Sequence, residues 1–190
     1  MKYYTPIQIE NLEIIQRKVF ELFPKSELTK NNLFYIPNNV ELFLSIPELK
    51  TELDRLKLTE HIMHFGFYVL QTTSGQDPHI DSGDPVYSFN IPIYNCENTF
   101  INFYTVSSNP VERYLPNGIS YYWVNPQNCT LVDSLEMNQP YIINVKQAHN
   151  IVNKNPWPRI TLLIRLKKEV DLSRLFDLVR PTGIEPIFTV

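Results

Sequence analysis

The stretch VKQAHNIVNKNPWPRITLLIRL, Val145 to Leu166, decides how the rest of the chain is read. Asn153 to Pro158 is dense in Asn and Pro, a turn composition, and it divides one β-like run from another. Beyond it Ile160, Leu162 and Ile164 alternate with Arg159, Thr161 and Leu163. An extended strand would therefore show an apolar side for packing and a polar side for a ligand. A turn centred near Lys154 folds the segment into a hairpin with His149 opposite Arg159, where cross-strand neighbours stand ~4.5–5.5 Å apart. An imidazole and a guanidinium would then reach one small molecule together.

Period two recurs upstream. HFGFYVLQ (His64 to Gln71) is β-like, and VYSFNIPIY (Val86 to Tyr94) sets Phe89, Ile91 and Ile93 against Ser88, Asn90 and Pro92. Pro92 inside that run predicts a sheet edge or an irregular strand. After a turn at Asn95 to Asn98, further strands are expected at TFINFYTV, at ISYYWV, around Leu131 to Val132 and at YIINV.

The first sixty residues carry helical signals instead. Thr5-Pro6-Ile7-Gln8 reads as a capping box with Pro at the first helical position, followed by Leu12, Ile15, Val19 and Leu22 at helical spacing until Pro24. Ser45-Ile46-Pro47-Glu48 repeats the start signal, and Leu49, Leu53 and Leu56 continue an apolar stripe. Asp171 to Val179 predicts a short helix ended by Pro181. The expectation is a single domain over residues 1–190: mostly helical support over 1–60, a β core over 63–166, and a C-terminal helix and tail over 171–190. This is an α+β chain, mainly β, and a jelly roll backed by N-terminal helices suits it. A plain antiparallel sandwich fits the same pattern.

At 190 residues the chain can bury one sizeable core and has little room for a second. Hydrophobic residues at 43% and charged residues at 19% are ordinary for a globular protein, so no fibrous or disordered class is indicated. No run approaches the ~18 apolar residues of a membrane span, and MKYYTPIQIE lacks the apolar centre of a signal peptide. Cys96 and Cys129 are too few for a disulfide framework, which predicts a reducing, cytoplasmic setting. A net charge of −3 gives no electrostatic case for a nucleic-acid partner, and leaves a local basic groove open.

The chemistry concentrates at PHIDSGD, Pro78 to Asp84. His79 and Asp81 are two apart, so on an extended strand both point to one face, ~6.5 Å apart along the chain. Gly83 lets the backbone turn away at once. With His149 as a third ligand, two imidazoles and one carboxylate leave open positions on a six-coordinate Fe(II), as in non-haem iron oxygenases. A dicarboxylic keto acid suits such a centre, with its far end on the Arg159 fork and a hydrogen bond from Thr161.

His79-x-Asp81, then His149, then Arg159-x-Thr161 resembles the Fe(II)/2-oxoglutarate-dependent dioxygenase superfamily. The ten-residue step from His149 to Arg159 is similar to its prolyl and aspartyl/asparaginyl hydroxylase branch, as are SFNIPIYN, PYIINV and HNIVNKNPWPRITL. The resemblance spans about Met63 to Leu166 and implies a double-stranded β-helix, cupin-like in form. It implies iron on His79, Asp81 and His149, and 2-oxoglutarate on Arg159 and Thr161. The implied reaction hydroxylates a substrate C–H, releasing succinate and CO2. Asn90 and Tyr104 are further candidates for the pocket. Some hydroxylases of aspartyl substrates lack the carboxylate ligand that Asp81 supplies here, a departure from direct equivalence with them.

Each element has a plainer reading. His79 and Asp81 alone are ordinary loop residues, His149 a satisfied core histidine, Arg159 a strand-end charge and Thr161 a β-former. Glu60-His61-Ile62-Met63-His64 is not H-E-x-x-H, and a structural role is expected. Arg159 and Arg165, six apart, resemble the arginine pair of alkylated-nucleic-acid dealkylases, although the His-to-Arg step is shorter than theirs; an exposed strand end is the alternative. A non-catalytic jelly-roll binding module is the competing class of function. The entrance loops expected at Thr72 to Asp77, Ser107 to Asn117 and Val132 to Gln139 are of mixed polarity. They suit an amino acid, a peptide or a sugar, and leave substrate and oligomeric state open.

Overall fold

Strand alternation sorts the side chains of the β half into two sets, and the computed structural model shows what each set packs against. It describes residues 3–29, 32–36, 39–83, 86–115 and 118–167. In chain order the elements are β1 (Tyr4–Pro6), α1 (Leu12–Glu21), β2 (Asn32–Phe34), α2 (Asn39–Leu44), α3 (Pro47–Arg55), β3 (Ile62–Leu70), β4 (His79–Asp81) and β5 (Tyr87–Tyr94). There follow β6 (Thr99–Val106), β7 (Val111–Tyr114), β8 (Ser120–Trp123), β9 (Cys129–Glu136), β10 (Tyr141–Asn144), β11 (His149–Asn153) and β12 (Arg159–Leu166).

Two six-stranded sheets result, ordered β1-β10-β5-β12-β3-β2 and β7-β8-β4-β11-β6-β9, with every pairing antiparallel. On the first sheet Phe65, Phe67, Phe89, Ile91, Ile160 and Leu162 form one core with Ile15, Val19, Phe43, Leu49 and Leu53 of the helices. Each of these is fully buried, and such a side chain contributes about 1.5–3 kcal/mol. The opposite face turns inward: Tyr68, Leu70, Ile143 and Leu163 meet Ile101, Phe103, Leu135 and Ile151 of the second sheet. The period-two pattern thus separates a helix-backed side from an inter-sheet interior, and the site lies in that interior.

Three local expectations are decided by the structure, two of them as corrections. Tyr4–Pro6 is a strand, paired with Tyr141–Ile143, and the helix begins after Asn11. The Thr5 capping box gives way to a ladder that seats Ile7 in the core. Of the two alternatives at Pro92, the irregular strand holds: β5 is central, the register of β12 slips between Ile160 and Thr161 opposite Pro92, and β10 stops at Asn90. The missing N–H of Pro92 therefore falls where no regular ladder bond is required.

The other correction is the larger. β11 and β12 do not form a hairpin. β11 sits between β4 and β6 in one sheet, and β12 between β3 and β5 in the other. Each strand has both edges filled, so the 154–158 turn arches across the sandwich. Asn153, fully buried, fixes it: its Nδ2 lies 3.1 Å from the carbonyls of Leu70 and Gln71 and 2.9 Å from that of Trp157. Asn155 donates to the carbonyls of Asn95 and Glu97. Thus His149 faces His79 and Phe103, and Arg159 faces Leu70. The helix expected over 171–179 lies outside the described residues.

Candidate metal centre

Because β4 and β11 are neighbours in register at His79 and His149, two imidazoles arrive on one inner face, with ring centroids 4.6 Å apart. Asp81, two residues along β4, joins them. One ligand atom each from His79, Asp81 and His149 lies within 4.8 Å of the others. Gly83 follows at φ 75, where glycine is preferred, and the chain turns off the strand. Lys146 Nζ donates to the carbonyls of Asp81 and Gly83 and pins that turn.

The ring orientations are set by backbone. His79 Nδ1 lies 3.0 Å from the Asp77 carbonyl, and His149 Nδ1 lies 2.9 Å from that of Gln147. With Nδ1–H donating there, each Nε2 lone pair is left for a metal, the outer-shell arrangement common among ligating histidines. Asp81 divides its oxygens: Oδ1 is 3.5 Å from His79 Nε2, and Oδ2 is 2.6 Å from an Arg165 nitrogen.

The electrostatics favour a cation. Burial pushes the Asp81 carboxyl up, but Arg165, His149 and His79 outweigh it and hold its pKa at about 2. Burial and the neighbouring His79 push His149 down to about 4, against the pull of Asp81. At neutral pH the cluster presents a carboxylate and a neutral His149 imidazole, the forms that bind a divalent metal. Two nitrogens and one oxygen on one face match the donor set of non-haem Fe(II) sites.

The centre opens onto a cavity of about 840 Å³. Asn90 lines it and accepts from Ser88 Oγ at 2.6 Å. Tyr104 does not: its hydroxyl donates to Asn150 Oδ1 at 3.1 Å, in a polar network with Asn102 away from the cavity. It occupies a half-exposed position of β6, whose inward positions are Ile101 and Phe103. Thr161 is fully buried 3.8 Å from Cys96 Sγ and is not among the lining residues.

Arg159 is not among them either. It is fully buried, 5.3 Å from the centre of the Tyr68 ring, and its Nε and Nη1 have no hydrogen-bond partner. Burial pushes its pKa down, with Cys96 and Tyr68 opposing. An orphaned guanidinium behind a cavity-lining tyrosine fits an acidic group that arrives with a ligand.

Arg165, read above as an exposed strand end or the second of an arginine pair, is not an exposed end: its side chain is nine-tenths buried and grips Asp81. The even step from Arg159 was the available signal, since both then share one strand face. Tyr35 bonds the same guanidinium, and its ring stands edge-on to His64 at 4.5 Å. Nothing in local sequence points to Tyr35, which β2 delivers from the N-terminal third.

No family model matches the chain, and no curated protein matches it. Solved structures do resemble it. EvdO2 of Micromonospora carbonacea var. aurantiaca aligns over 88% of this chain and 87% of its own, with TM-score 0.52 and 12% identity. A Pseudomonas putida prolyl-4-hydroxylase aligns over 88% and 89%, with TM-score 0.44 and 9% identity. Bacillus subtilis oxalate decarboxylase aligns over 64% of this chain and 24% of its own, with TM-score 0.33 and 6% identity. The likeness to EvdO2 shows a mostly antiparallel, cupin-like jelly roll. At these identities it speaks to the fold and not to the reaction.

Proposed function

We propose that this protein is an Fe(II)- and 2-oxoglutarate-dependent oxygenase that hydroxylates a C–H of a small molecule or a peptide side chain. The observation that carries the reading is the convergence of His79, Asp81 and His149 within 4.8 Å at the wall of a cavity of about 840 Å³. Held there beside 2-oxoglutarate, Fe(II) would supply two-electron oxidation of R–H to R–OH by O2, with 2-oxoglutarate converted to succinate and CO2.

The residues have separate tasks. His79 and His149 would hold the metal through Nε2, their Nδ1 atoms being committed to carbonyls. Asp81 supplies the anionic ligand, and Arg165 fixes its rotation by engaging one oxygen. Arg159 supplies the counter-charge for the distal carboxylate of 2-oxoglutarate, with Thr161 two residues along the same strand face. Its unpaired Nε and Nη1 support that role. The inter-sheet walls around Leu163, Ile151 and Ile101 are apolar. The two free cysteines suit a reducing, cytoplasmic compartment.

Addition of Fe(II) and 2-oxoglutarate without oxygen tests the reading. A metal-to-ligand charge-transfer band is expected in the native protein and not in H149A. Iron bound by the native protein with no band overturns the reading and leaves the binding-module alternative.

A further inference from the structure

The cavity contains a third histidine that the metal centre does not use. His64 lies on the inner face of β3 as the cross-strand partner of Arg165 and lines the cavity. Its ring meets Tyr35 edge-on at 4.5 Å, and neither ring nitrogen has a hydrogen-bond partner among the described residues. Burial and the adjacent Arg165 both push it toward the neutral form.

Several polar side chains that line the same cavity are already engaged with one another. Ser82 Oγ bonds the Ser120 carbonyl and hydroxyl, Ser88 donates to Asn90, and Tyr35 takes Arg165. Charge is spent in the same way. Arg165 is the one Lys or Arg among the described lining residues, and Asp81 holds it. Asp77, at the exposed rim, accepts from Trp123 Nε1 at 3.0 Å. No lining Lys or Arg is left free for an anionic substrate, and inside Asp77 of the exposed rim no lining carboxylate is left free for a cationic one, which would also approach Arg165.

We propose that His64 is the substrate-positioning residue, accepting a hydrogen bond from an N–H or O–H of an uncharged substrate whose apolar part lies against Leu115 and Ile119. This rests on the oxygenase reading and names the substrate class for it. A neutral imidazole offers one acceptor and one donor. Arg165 beside it discourages the imidazolium, so recognition is by hydrogen bond and not by ion pair. Loss of that bond loosens the substrate while the metal and co-substrate residues stay in place.

Succinate release is measured with three sets of probes: N-acetyl amino-acid amides with methyl glycosides, free amino acids, and nucleoside monophosphates. Turnover is expected with a member of the first set. For that probe, H64L should raise KM at least tenfold and raise succinate formed per product hydroxylated, whereas H64Q should return KM to within about threefold. A binding readout independent of turnover is the His64 ring 15N resonance in Zn(II)-loaded protein, expected to shift on adding the same probe. Turnover confined to charged probes, none with any uncharged probe, or an H64L KM and stoichiometry equal to native overturns the inference alone. Failure to form the charge-transfer band overturns the underlying reading.

Discussion

The two ends of the arginine-bearing strand β12 treat a buried guanidinium in opposite ways. At one end Arg165 is held by Asp81 at 2.6 Å and by Tyr35, beside the two imidazoles of the candidate metal centre, which the Asp77 and Gln147 carbonyls orient. At the other end Arg159 is fully buried with two nitrogens unpaired. The first end is built to be complete before a ligand arrives, apart from the cation itself. The second is costly until something acidic enters. Pre-organisation and stored desolvation therefore sit six residues apart on one strand, and they can be separated by experiment.

The largest expected effect comes from opening the completed end. Arg165→Met leaves the Asp81 carboxylate buried without its partner, a change that costs about 3–5 kcal/mol in comparable buried pairs. Chemical denaturation of the metal-free variant should show that loss, and a divalent metal should recover part of it. If the metal-free variant is as stable as native, Arg165 is not what satisfies Asp81.

Next in size is the response of the same end to acid. His149 has its folded pKa depressed from 6.5 to about 4. Below pH 6.5 the unfolded chain takes a proton that the folded one refuses, so stability falls with pH until the folded group titrates near 4. The loss approaches about 3 kcal/mol. Asp81, depressed from 3.8 to about 2, extends the decline below pH 4 with the same sign. Denaturation of metal-free protein between pH 7 and 4 measures this, and in His149→Asn the slope between 6.5 and 4 should flatten.

How much of this was legible follows from what each signal encodes. Period two in VYSFNIPIY and RITLLIRL assigns faces, so the helix-side core of Phe89, Ile91, Ile160 and Leu162 could be read directly. His79-x-Asp81 is also a local fact, because strand geometry alone puts both on one side. Which strands are neighbours is not local. The Asn-Pro turn after Asn153 looks the same whether it closes a hairpin or arches between sheets. Only the ladders already filling both edges of β11 and β12 decide it. His149 thus meets His79 directly on the adjacent strand β4, and the pairing expected with Arg159 is absent. Tyr35 and His64 needed the packed N-terminal third as well, and Tyr104 was misplaced because its inward or outward sense depends on register within the second sheet.

At the incomplete end the predicted sign reverses. Arg159→Leu removes a buried charge whose Nε and Nη1 have no hydrogen-bond partner, so the ligand-free protein should gain about 1–2 kcal/mol, in line with apolar replacement of buried ionic groups. The same variant should lose at least a hundredfold in 2-oxoglutarate affinity, read from the anaerobic charge-transfer titration. Stability gained with affinity unchanged would mean that the orphaned guanidinium serves no acid.

The smallest effect sets the baseline for both ends. Tyr104→Phe deletes a hydroxyl that donates to Asn150 Oδ1, an acceptor that also receives Asn102 Nδ2 at 3.0 Å. Because Asn150 keeps a donor, the cost should stay within about 0.5–1.5 kcal/mol, the net worth of one hydrogen bond. Metal and 2-oxoglutarate affinities should not move, since Tyr104 borders neither the cluster nor the cavity. A change in either affinity would mean that the outer network of β6 and β11 is coupled to His149, whose neighbour Asn150 carries it. The two ends of β12 would then no longer be the only places where the site can be tuned.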